Sequence, residues 1–408
     1  MGREAKSAAD ALARTTGASR TRALELMAEA IRSAAPEILA ANAQDLVSAR
    51  DLSPAMRDRL MLDAARIRAM ADSVADIARI PDPVGAVIEE WTQPNQLHFA
   101  RVRVPIGVIG IIYESRPNVT ADAGALALRA GNAVILRCGS ESLGTSRAIH
   151  AAMAKALGQA GLPATAMQLV PHGGREAVGD MLTGLDGAID LIIPRGGKNL
   201  VARVEREARV PVLGHLEGLC HTYVHGQADA AMAARIVFNA KMRRSGVCGA
   251  TETLLIDRAI LASHLAPILE PLLAAGCELR GDAEICAREP RAKPATDTDF
   301  HTEHLAPILN IRAVSGMDAA IAHIATHGTH HTDAIITEDA GAADAFTARV
   351  DSAIVLVNAS TQFADGGAFG FGAEIGIATG RLHARGPVGA RELTTYKTIV
   401  RGTGQTRP

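Results

Sequence analysis

The feature that most constrains the fold is the alternation of short aliphatic runs with helical segments. After an Ala-rich block of helical periodicity, four such runs follow one another: VPIGVIGIIYE (104–114), AVILR (133–137), AMQLV (166–170) and AIDLIIP (188–194). Continuous aliphatic runs are typical of parallel strands buried on both faces, and parallel strands require crossovers, which are usually helical. The sequence therefore predicts an α/β fold whose parallel sheet carries helices on both faces.

A second set of the same kind begins near Lys241. Its predicted strands are ATETLLID (250–257), HLAPILNIRAV (304–314), DAIIT (333–337) and SAIVLVN (352–358). A chain of 408 residues is long enough for two or three domains. We predict that residues 1–90 and 105–240, with part of 365–390, form a first domain and that residues 241–364 form a second.

Two further segments have a different pattern. Apolar and polar side chains alternate over residues 97–104, which indicates a strand exposed on at least one face. The segment ELTTYKTIV (392–400) predicts a last strand near the C-terminal end. We therefore place residues 91–104 and 391–408 in a small β element apart from the two domains.

Charge and cysteine content limit the partners and the compartment. The formal net charge is -2, which gives no reason to expect nucleic acid or a membrane surface as a partner. The five cysteines form no C-x-x-C pair, and neither a signal-like segment nor a long apolar stretch is present. These features predict a soluble cytoplasmic protein with free thiols.

Cys248 is the candidate nucleophile. It lies in RRSGVCGATETLL, between Gly246 and Gly249 and just before a predicted strand. Small neighbours leave room for a substrate carbonyl and for backbone N–H groups that face an oxyanion. Arg243 and Arg244 would favour the thiolate. The alternative for any single cysteine is a buried thiol that acts as a small apolar residue.

The loop after the first aliphatic run contains a second candidate, Asn118. Ligands of open parallel sheets collect beyond the carboxyl ends of the strands, where this loop is expected. The Asn118 amide suits an oxyanion hole. The alternative is an asparagine that serves only a proline-containing turn.

A glycine pair is the candidate phosphate-binding loop. Gly196 and Gly197 follow the strand LIIP and open a predicted helix, so their amides are placed to meet a cofactor phosphate. The sequence there is not the G-x-G-x-x-G fingerprint, and a simple turn is the alternative.

A histidine tract raises the question of a metal site. The tract comprises His323, His327, His330 and His331, of which His323 and His327 are four residues apart on a predicted helix, but no H-E-x-x-H arrangement accompanies them. We therefore interpret them as surface or helix-cap histidines and predict no metal.

Several long blocks together resemble one family. They are YESRPNVTADAGALALRAGNAVILR (113–137), HLEGLCHTYV (215–224), RRSGVCGATETLLID (243–257), TEHLAPIL (302–309), HTDAIITED (331–339), VNASTQFADGGAFGFGAEIGIATGRLHARGPVG (357–389) and ELTTYKTIVRG (392–402). This collinear set resembles the γ-glutamyl phosphate reductase family of the aldehyde dehydrogenase superfamily.

The resemblance implies an aldehyde dehydrogenase-like fold with two parallel-sheet α/β domains, one for the cofactor and one for catalysis, and paired oligomerisation strands. It implies NADPH-dependent reduction of L-glutamyl 5-phosphate to L-glutamate 5-semialdehyde and phosphate in proline biosynthesis. It also implies a homo-oligomer that associates with glutamate 5-kinase.

The resemblance further implies roles for individual residues. Cys248 would be the nucleophile that forms a thioester, and Asn118 the oxyanion donor. Glu303 would contact the nicotinamide ribose, and Arg137 would lie near the adenosine ribose. Glu217 matches the position of the water-activating base of aldehyde-oxidising relatives, and we expect it to matter less here.

Three positions differ from the family pattern. Gly249 replaces an asparagine, Ser140 a lysine, and Gln362 a basic residue. The alternatives are therefore a paralogue that reduces a related acyl phosphate, an aldehyde-oxidising enzyme of the same fold, and a non-catalytic relative. Ser140 also removes a positive charge near the expected cofactor phosphates, which weakens the case for NADPH over NADH.

Overall fold

The computed structural model of the chain describes residues 1–50, 52–174 and 176–407. The helices in chain order are α1 (Gly2–Leu12), α2 (Gly17–Ser33), α3 (Ala35–Ser48), α4 (Pro54–Leu60), α5 (Ala64–Arg79), α6 (Val119–Arg129), α7 (Leu143–Gln159), α8 (Glu176–Leu182), α9 (Lys198–Glu207), α10 (Ala230–Met242), α11 (Leu261–Ala274), α12 (Ala283–Arg288), α13 (Met317–His327) and α14 (Ala340–Arg349). The strands are β1 (Val87–Thr92), β2 (His98–Pro105), β3 (Val108–Tyr113), β4 (Ala133–Arg137), β5 (Met167–Leu169), β6 (Leu191–Arg195), β7 (Cys220–Val224), β8 (Thr251–Asp257), β9 (Glu278–Gly281), β10 (Lys293–Pro294), β11 (Ile308–Val314), β12 (Thr332–Ile336), β13 (Ile354–Val357), β14 (Ile377–Ala378), β15 (Gly386–Pro387) and β16 (Thr394–Arg401).

The chain divides into two compact units. The first comprises Met1–Gly214, Gly370–Gly376 and Val388–Pro408, and the second comprises His215–Phe369 and Ile377–Pro387.

The first unit contains a parallel sheet in the order β5-β4-β3-β6. Every residue of β3 and β4 is buried, as expected for strands covered on both faces. The helical block over the first eighty residues supplies α1 to α5 to the same unit. The predicted α/β fold of this part is therefore confirmed.

Local sequence signals explain where these helices begin and end. Thr16 caps α2 by accepting a hydrogen bond from the Ser19 amide, and Asp63 caps α5 by accepting one from the Arg66 amide. After α6, Gly131 adopts a φ of 77°, a left-handed conformation that glycine adopts without steric cost.

A small antiparallel sheet, β1-β2-β16, also belongs to the first unit. Strands β2 and β16 pair over eight residues, from Thr394 opposite Pro105 to Arg401 opposite His98. On β1, Trp91 stacks on Phe99 with ring centroids 5.1 Å apart. The two segments predicted as strands of a separate β element therefore pair with each other.

The second unit is built on a parallel sheet in the order β10-β9-β11-β8-β7-β12-β13. Its central strand β8 is buried at all seven positions. Strand β7 hydrogen-bonds to β8 and to β12. Strand β7 therefore joins the second sheet, and the second unit begins at His215 rather than at the predicted residue 241.

Of the four histidines in the tract, His330 is exposed, whereas His331 is 0% exposed and does not lie on the surface as predicted. His323 and His327 are both buried, and their rings lie 4.2 Å apart between centroids. They pack against Phe300, and His323 also contacts His221 of β7. The interpretation as surface residues is therefore wrong for His323, His327 and His331, because α13 turns the first two rings toward aromatic partners. His327 nevertheless lies at the C-terminal end of α13, next to the cap.

Among the described residues, no helix is both long enough and apolar enough to cross a lipid bilayer.

Candidate active site

Cys248 lies in the second unit, in the loop that leads into β8. The residue is half-buried, whereas every residue of the strand that follows is buried. Its carbonyl oxygen accepts a hydrogen bond from the Cys220 thiol at 3.1 Å. The buried strand therefore fixes the end of the loop, and Cys248 itself packs, half-buried, against the apolar cluster of Ile354, Ala364 and Ile377.

Gly218 packs directly against the backbone of Cys248. A Cβ atom at Gly218 would lie 2.1 Å from the Cys248 carbonyl oxygen, so only glycine fits without a shift of the loop. The Gly218 amide donates to Glu303 Oε1 at 3.0 Å, and Glu217 is the preceding residue. The structure thus brings Cys248, Glu217 and Glu303 into one region of the second unit.

Two histidines that we did not predict as site residues lie beside Cys248. One ring nitrogen each of His215 and His331 and the Cys248 Sγ lie within 4.8 Å of one another. His215 Nδ1 is 2.6 Å from the carbonyl oxygen of Ile377, which can only accept, so Nδ1 carries the proton. Burial, and then the nearby His215, lowers the pKa of His331 well below its usual value.

Three of the other four cysteines are buried, whereas Cys248 is half-buried. Burial raises the pKa of Cys138, raises that of Cys277 to about 11, and raises that of Cys220 well above its usual value. The thiolate is the reactive form of cysteine, so these three residues are poor nucleophiles. Cys286, like Cys248, is half-buried.

A buried ion pair supports the same region. Lys241 Nζ lies 2.8 Å from Glu252 Oε2, with the two side chains 0% and 2% exposed. Glu252 Oε1 accepts from the Leu305 amide at 3.3 Å, two residues after Glu303. Burial raises the pKa of the Glu252 carboxyl, although Lys241 opposes the shift. The pair therefore connects α10, β8 and the segment that carries Glu303.

Two of the positions that differ from the family pattern have structural partners. A Cβ at Gly249 would lie 3.1 Å from the Thr361 carbonyl oxygen, so a larger side chain requires a small shift there. Gln362 Nε2 donates to the carbonyl oxygens of Ala240 and Arg244 at 3.0 and 3.2 Å. Gln362 therefore ties the start of the Cys248 loop to the segment after β13.

Asn118 lies in the first unit, at the start of α6 and after the carboxyl end of β3. Its Nδ2 donates to Asp122 Oδ2 at 3.0 Å. Desolvation raises the pKa of the Asp122 carboxyl, although Asn118 and Ser73 donate to it. One N–H of the Asn118 amide is therefore held by Asp122, which fixes the orientation of the side chain.

The predicted cofactor residues of the first unit lie at the carboxyl edge of its sheet. Arg137 ends β4, is 7% exposed, and donates through Nη2 to the carbonyl oxygens of Gly173 and Gly174. Gly196 and Gly197 follow β6, and the Gly197 amide donates to Glu114 Oε2 at 3.1 Å. Arg137 therefore holds a neighbouring loop, while the Gly197 amide already meets an anionic oxygen.

A strained turn at the same edge escaped the sequence prediction. Ser115, after β3, has a φ of 46° and is buried. Its amide and hydroxyl both donate to Glu141 Oε1, at 2.7 and 2.9 Å. Strain of this kind persists where the surroundings hold it and is frequent at ligand sites. The only sequence signal was the position of both residues just after strands.

Comparison with known proteins identifies the family. The sequence model of the aldehyde dehydrogenase family matches residues 1–277. The chain is 62% identical to the γ-glutamyl phosphate reductase of Caulobacter vibrioides, over 100% of this chain and 99% of that protein. The crystal structure of the enzyme of that name from Thermotoga maritima superposes with a TM-score of 0.97 at 42% identity, covering 100% of this chain and 99% of that one.

A more distant structure shares the fold alone. An engineered glycolyl-CoA reductase with bound NADP+ has a TM-score of 0.70 at 15% identity, over 98% of this chain and 95% of that chain.

The chain belongs to the aldehyde dehydrogenase family and is an oxidoreductase of that family. Within it, the chain groups with the γ-glutamyl phosphate reductases, to which it is similar over its full length. The aldehyde dehydrogenase-like fold and the family resemblance predicted from the sequence are therefore confirmed.

Proposed function

We propose that this chain reduces L-glutamyl 5-phosphate to L-glutamate 5-semialdehyde and phosphate with NADPH, as a step of proline biosynthesis, through a thioester on Cys248. The observation that carries the proposal is the full-length similarity to γ-glutamyl phosphate reductases together with the position of Cys248. Cys248 is half-buried in the loop before β8, whereas Cys138, Cys220 and Cys277 are buried.

In the proposed reaction the Cys248 thiolate attacks the acyl carbon of the substrate. A carbon–sulfur bond forms, the bond to the phosphate oxygen breaks, and phosphate leaves with that electron pair. Asn118 is the proposed oxyanion donor, and one such donor is worth about 3–4 kcal/mol of transition-state stabilisation. NADPH, when bound, supplies the hydride that converts the thioester to the aldehyde and frees the thiolate.

The carboxyl edge of the first unit's sheet offers groups that suit a dinucleotide cofactor. Gly196 and Gly197 place no side chain over the start of α9, and the Gly197 amide already donates to a carboxylate oxygen. Amides at a helix N-terminus bind phosphate in the same way. We propose that Gly196 and Gly197 contact a cofactor phosphate, that Arg137 shapes the adjoining loop near the adenosine ribose, and that Glu303 contacts the nicotinamide ribose.

The importance of Glu217 distinguishes the proposed acyl-phosphate reductase from an aldehyde-oxidising enzyme of the same fold. Hydride rather than water resolves the thioester, so no water-activating base is required. We expect Glu217→Gln to retain much more acyl-phosphate reductase activity than Cys248→Ser. Equal inactivation of the two variants would contradict this division of roles.

One assay tests the proposed reaction. Glutamate 5-semialdehyde should reduce NADP faster than NAD, and only with phosphate or arsenate present. Cys248→Ser should abolish the rate, whereas the matched control Cys286→Ser should keep it. Activity without phosphate would favour the aldehyde-oxidising alternative, and no reduction of either cofactor would refute the assignment of substrate.

We further propose a cytoplasmic homo-oligomer whose contact surface includes β1, β2 and β16. These strands expose large apolar side chains, among them Val87, Tyr396 and Val400 at 54%, 55% and 49%, and apolar patches on an exposed sheet favour protein contacts. Light scattering should give a mass above one chain that falls in Val400→Lys. Association with glutamate 5-kinase, proposed because acyl phosphates are labile, should be detectable by co-sedimentation.

A further inference from the structure

Three metal-ligating side chains from distant parts of the sequence meet in the second unit. Their ligand atoms, one ring nitrogen each of His215 and His331 and the Sγ of Cys248, all lie within 4.8 Å of one another. Zinc bonds of about 2.1 Å to nitrogen and 2.3 Å to sulfur put tetrahedral ligands about 3.4–3.6 Å apart. The bound of 4.8 Å exceeds this spacing by about 1.2–1.4 Å, so the three ligand atoms must move closer together to bind zinc.

His215 is already oriented as a metal ligand usually is. His215 donates its Nδ1 proton to the Ile377 carbonyl at 2.6 Å, so Nε2 is the ring nitrogen that would bind a metal. A backbone carbonyl that accepts the other ring N–H is the usual partner of a metal-bound histidine, since it fixes tautomer and orientation.

His331 supplies an independent observation. The residue is 0% exposed, and its Nε2 has no hydrogen-bond partner within the described part of the chain. Its Nδ1 lies 2.9 Å from Thr332 Oγ1. A buried polar atom without a partner is costly and calls for an explanation such as an ion or a water.

We propose that His215, Cys248 and His331 form a binding site for a zinc-like divalent cation. Two neutral imidazoles, one thiolate and a water complete a four-coordinate site. On binding, Cys248 transfers its thiol proton to the solvent and forms a sulfur–metal bond, with no change of oxidation state. The cation and the acyl substrate then compete for the same sulfur atom.

The consequence for activity depends on the proposed function, whereas the binding does not. If Cys248 is the nucleophile, the bound cation inhibits reversibly, because the sulfur lone pair is engaged. A chelator then restores the activity. Metal binding itself is measured on the protein without any substrate, so a failure of the proposed reaction and a failure of this site are separate results.

A second cluster in the same unit provides a matched control. Ligand atoms of Asp297, His301 and His327 also lie within 4.8 Å of one another. There, however, His327 Nδ1 lies 3.1 Å from His301 Nε2, so two of the candidate donor atoms are engaged with each other. His301 and Asp297 are exposed, and His301→Asn is therefore a mild change.

The experiment titrates the reduced protein with Co2+ and then with Zn2+ near neutral pH. One Co2+ per chain should give a thiolate-to-cobalt charge-transfer band in the near ultraviolet, and Zn2+ should displace it. Cys248→Ser should remove the band. His215→Asn should weaken Zn2+ binding at least about tenfold, with folding checked by circular dichroism, and His301→Asn should change neither.

A second measurement does not depend on cobalt. Saturating Zn2+ should slow alkylation of Cys248 by iodoacetamide at least about tenfold while the Cys286 rate stays unchanged, because a metal-bound sulfur is a weak nucleophile. A charge-transfer band that persists in Cys248→Ser, Zn2+ affinity unchanged in His215→Asn, or loss of binding in His301→Asn would each overturn the proposal.

Discussion

Replacing Lys241 by methionine should destabilise the second unit severely and locally. Lys241 and Glu252 are 0% and 2% exposed, and Nζ lies 2.8 Å from Oε2. Methionine is similar in length but leaves Glu252 buried without its cation. Removing one partner of a buried pair costs about 3–5 kcal/mol, because the remaining charge has lost its solvation.

The local readout is amide hydrogen exchange of peptides that cover β8. A loss of about 3–5 kcal/mol lowers the protection of those amides by about two to three and a half orders of magnitude. The double variant Lys241→Met/Glu252→Leu should recover most of the protection, since it removes both charges from the core. Arg349→Met is the matched control, because its pair with Asp318 is 46% and 84% exposed and an exposed pair contributes at most about 1 kcal/mol.

The pH dependence gives the sign of the effect. Burial raises the pKa of Glu252, so the folded state holds its proton more tightly than the unfolded state. Stability from this group is present at low pH and is lost as the pH rises through the folded-state pKa. In the Lys241→Met variant, the loss of stability caused by the buried Glu252 carboxylate should therefore increase from acid to alkaline pH. A single variant that keeps protection within tenfold at alkaline pH, or a double variant as damaged as the single one, would refute the reasoning.

Three further outcomes are expected. Gly218→Ala should lower kcat about a hundredfold with little loss of overall fold, because the new Cβ would press on the Cys248 carbonyl at 2.1 Å; an unchanged kcat and alkylation rate would contradict this contact. Burial, and then neighbouring histidines, lower the pKa of His323 from 6.5 to about 2. Below pH 6.5 only the unfolded state binds this proton, so the free energy of unfolding should fall by up to about 1.4 kcal/mol per pH unit. Urea titrations should show a shallower acid slope in His323→Asn, and an equal slope would refute the assignment. Asn118→Asp should lower kcat by about two to three orders of magnitude with KM little changed, and a pure KM effect would argue against an oxyanion role.

Much of the fold could be predicted because its strands are aliphatic. Apart from Tyr113 and Arg137 at their ends, the runs of β3 and β4 consist of aliphatic residues and glycine, so their burial follows from composition. Strand β7 was missed because its sequence, CHTYV, has no such run. It is buried only because its polar groups find partners: His221 Nδ1 lies 2.9 Å from Asp333 Oδ1, and Thr222 Oγ1 lies 2.7 Å from Thr251 Oγ1.

The same difference applies to the candidate site. The sequence by itself indicated Cys248 as a nucleophile, because the bracketing glycines and the following strand are local features. The family blocks added Asn118 as the expected oxyanion donor and Glu303 as an expected cofactor contact. Only the tertiary structure decided that His215 and His331 accompany the thiol, since hydrogen bonds and parallel-strand pairing join residues more than a hundred positions apart. The periodicity of a sequence indicates which face of a helix or strand is buried. It does not indicate which distant side chain will contact that face.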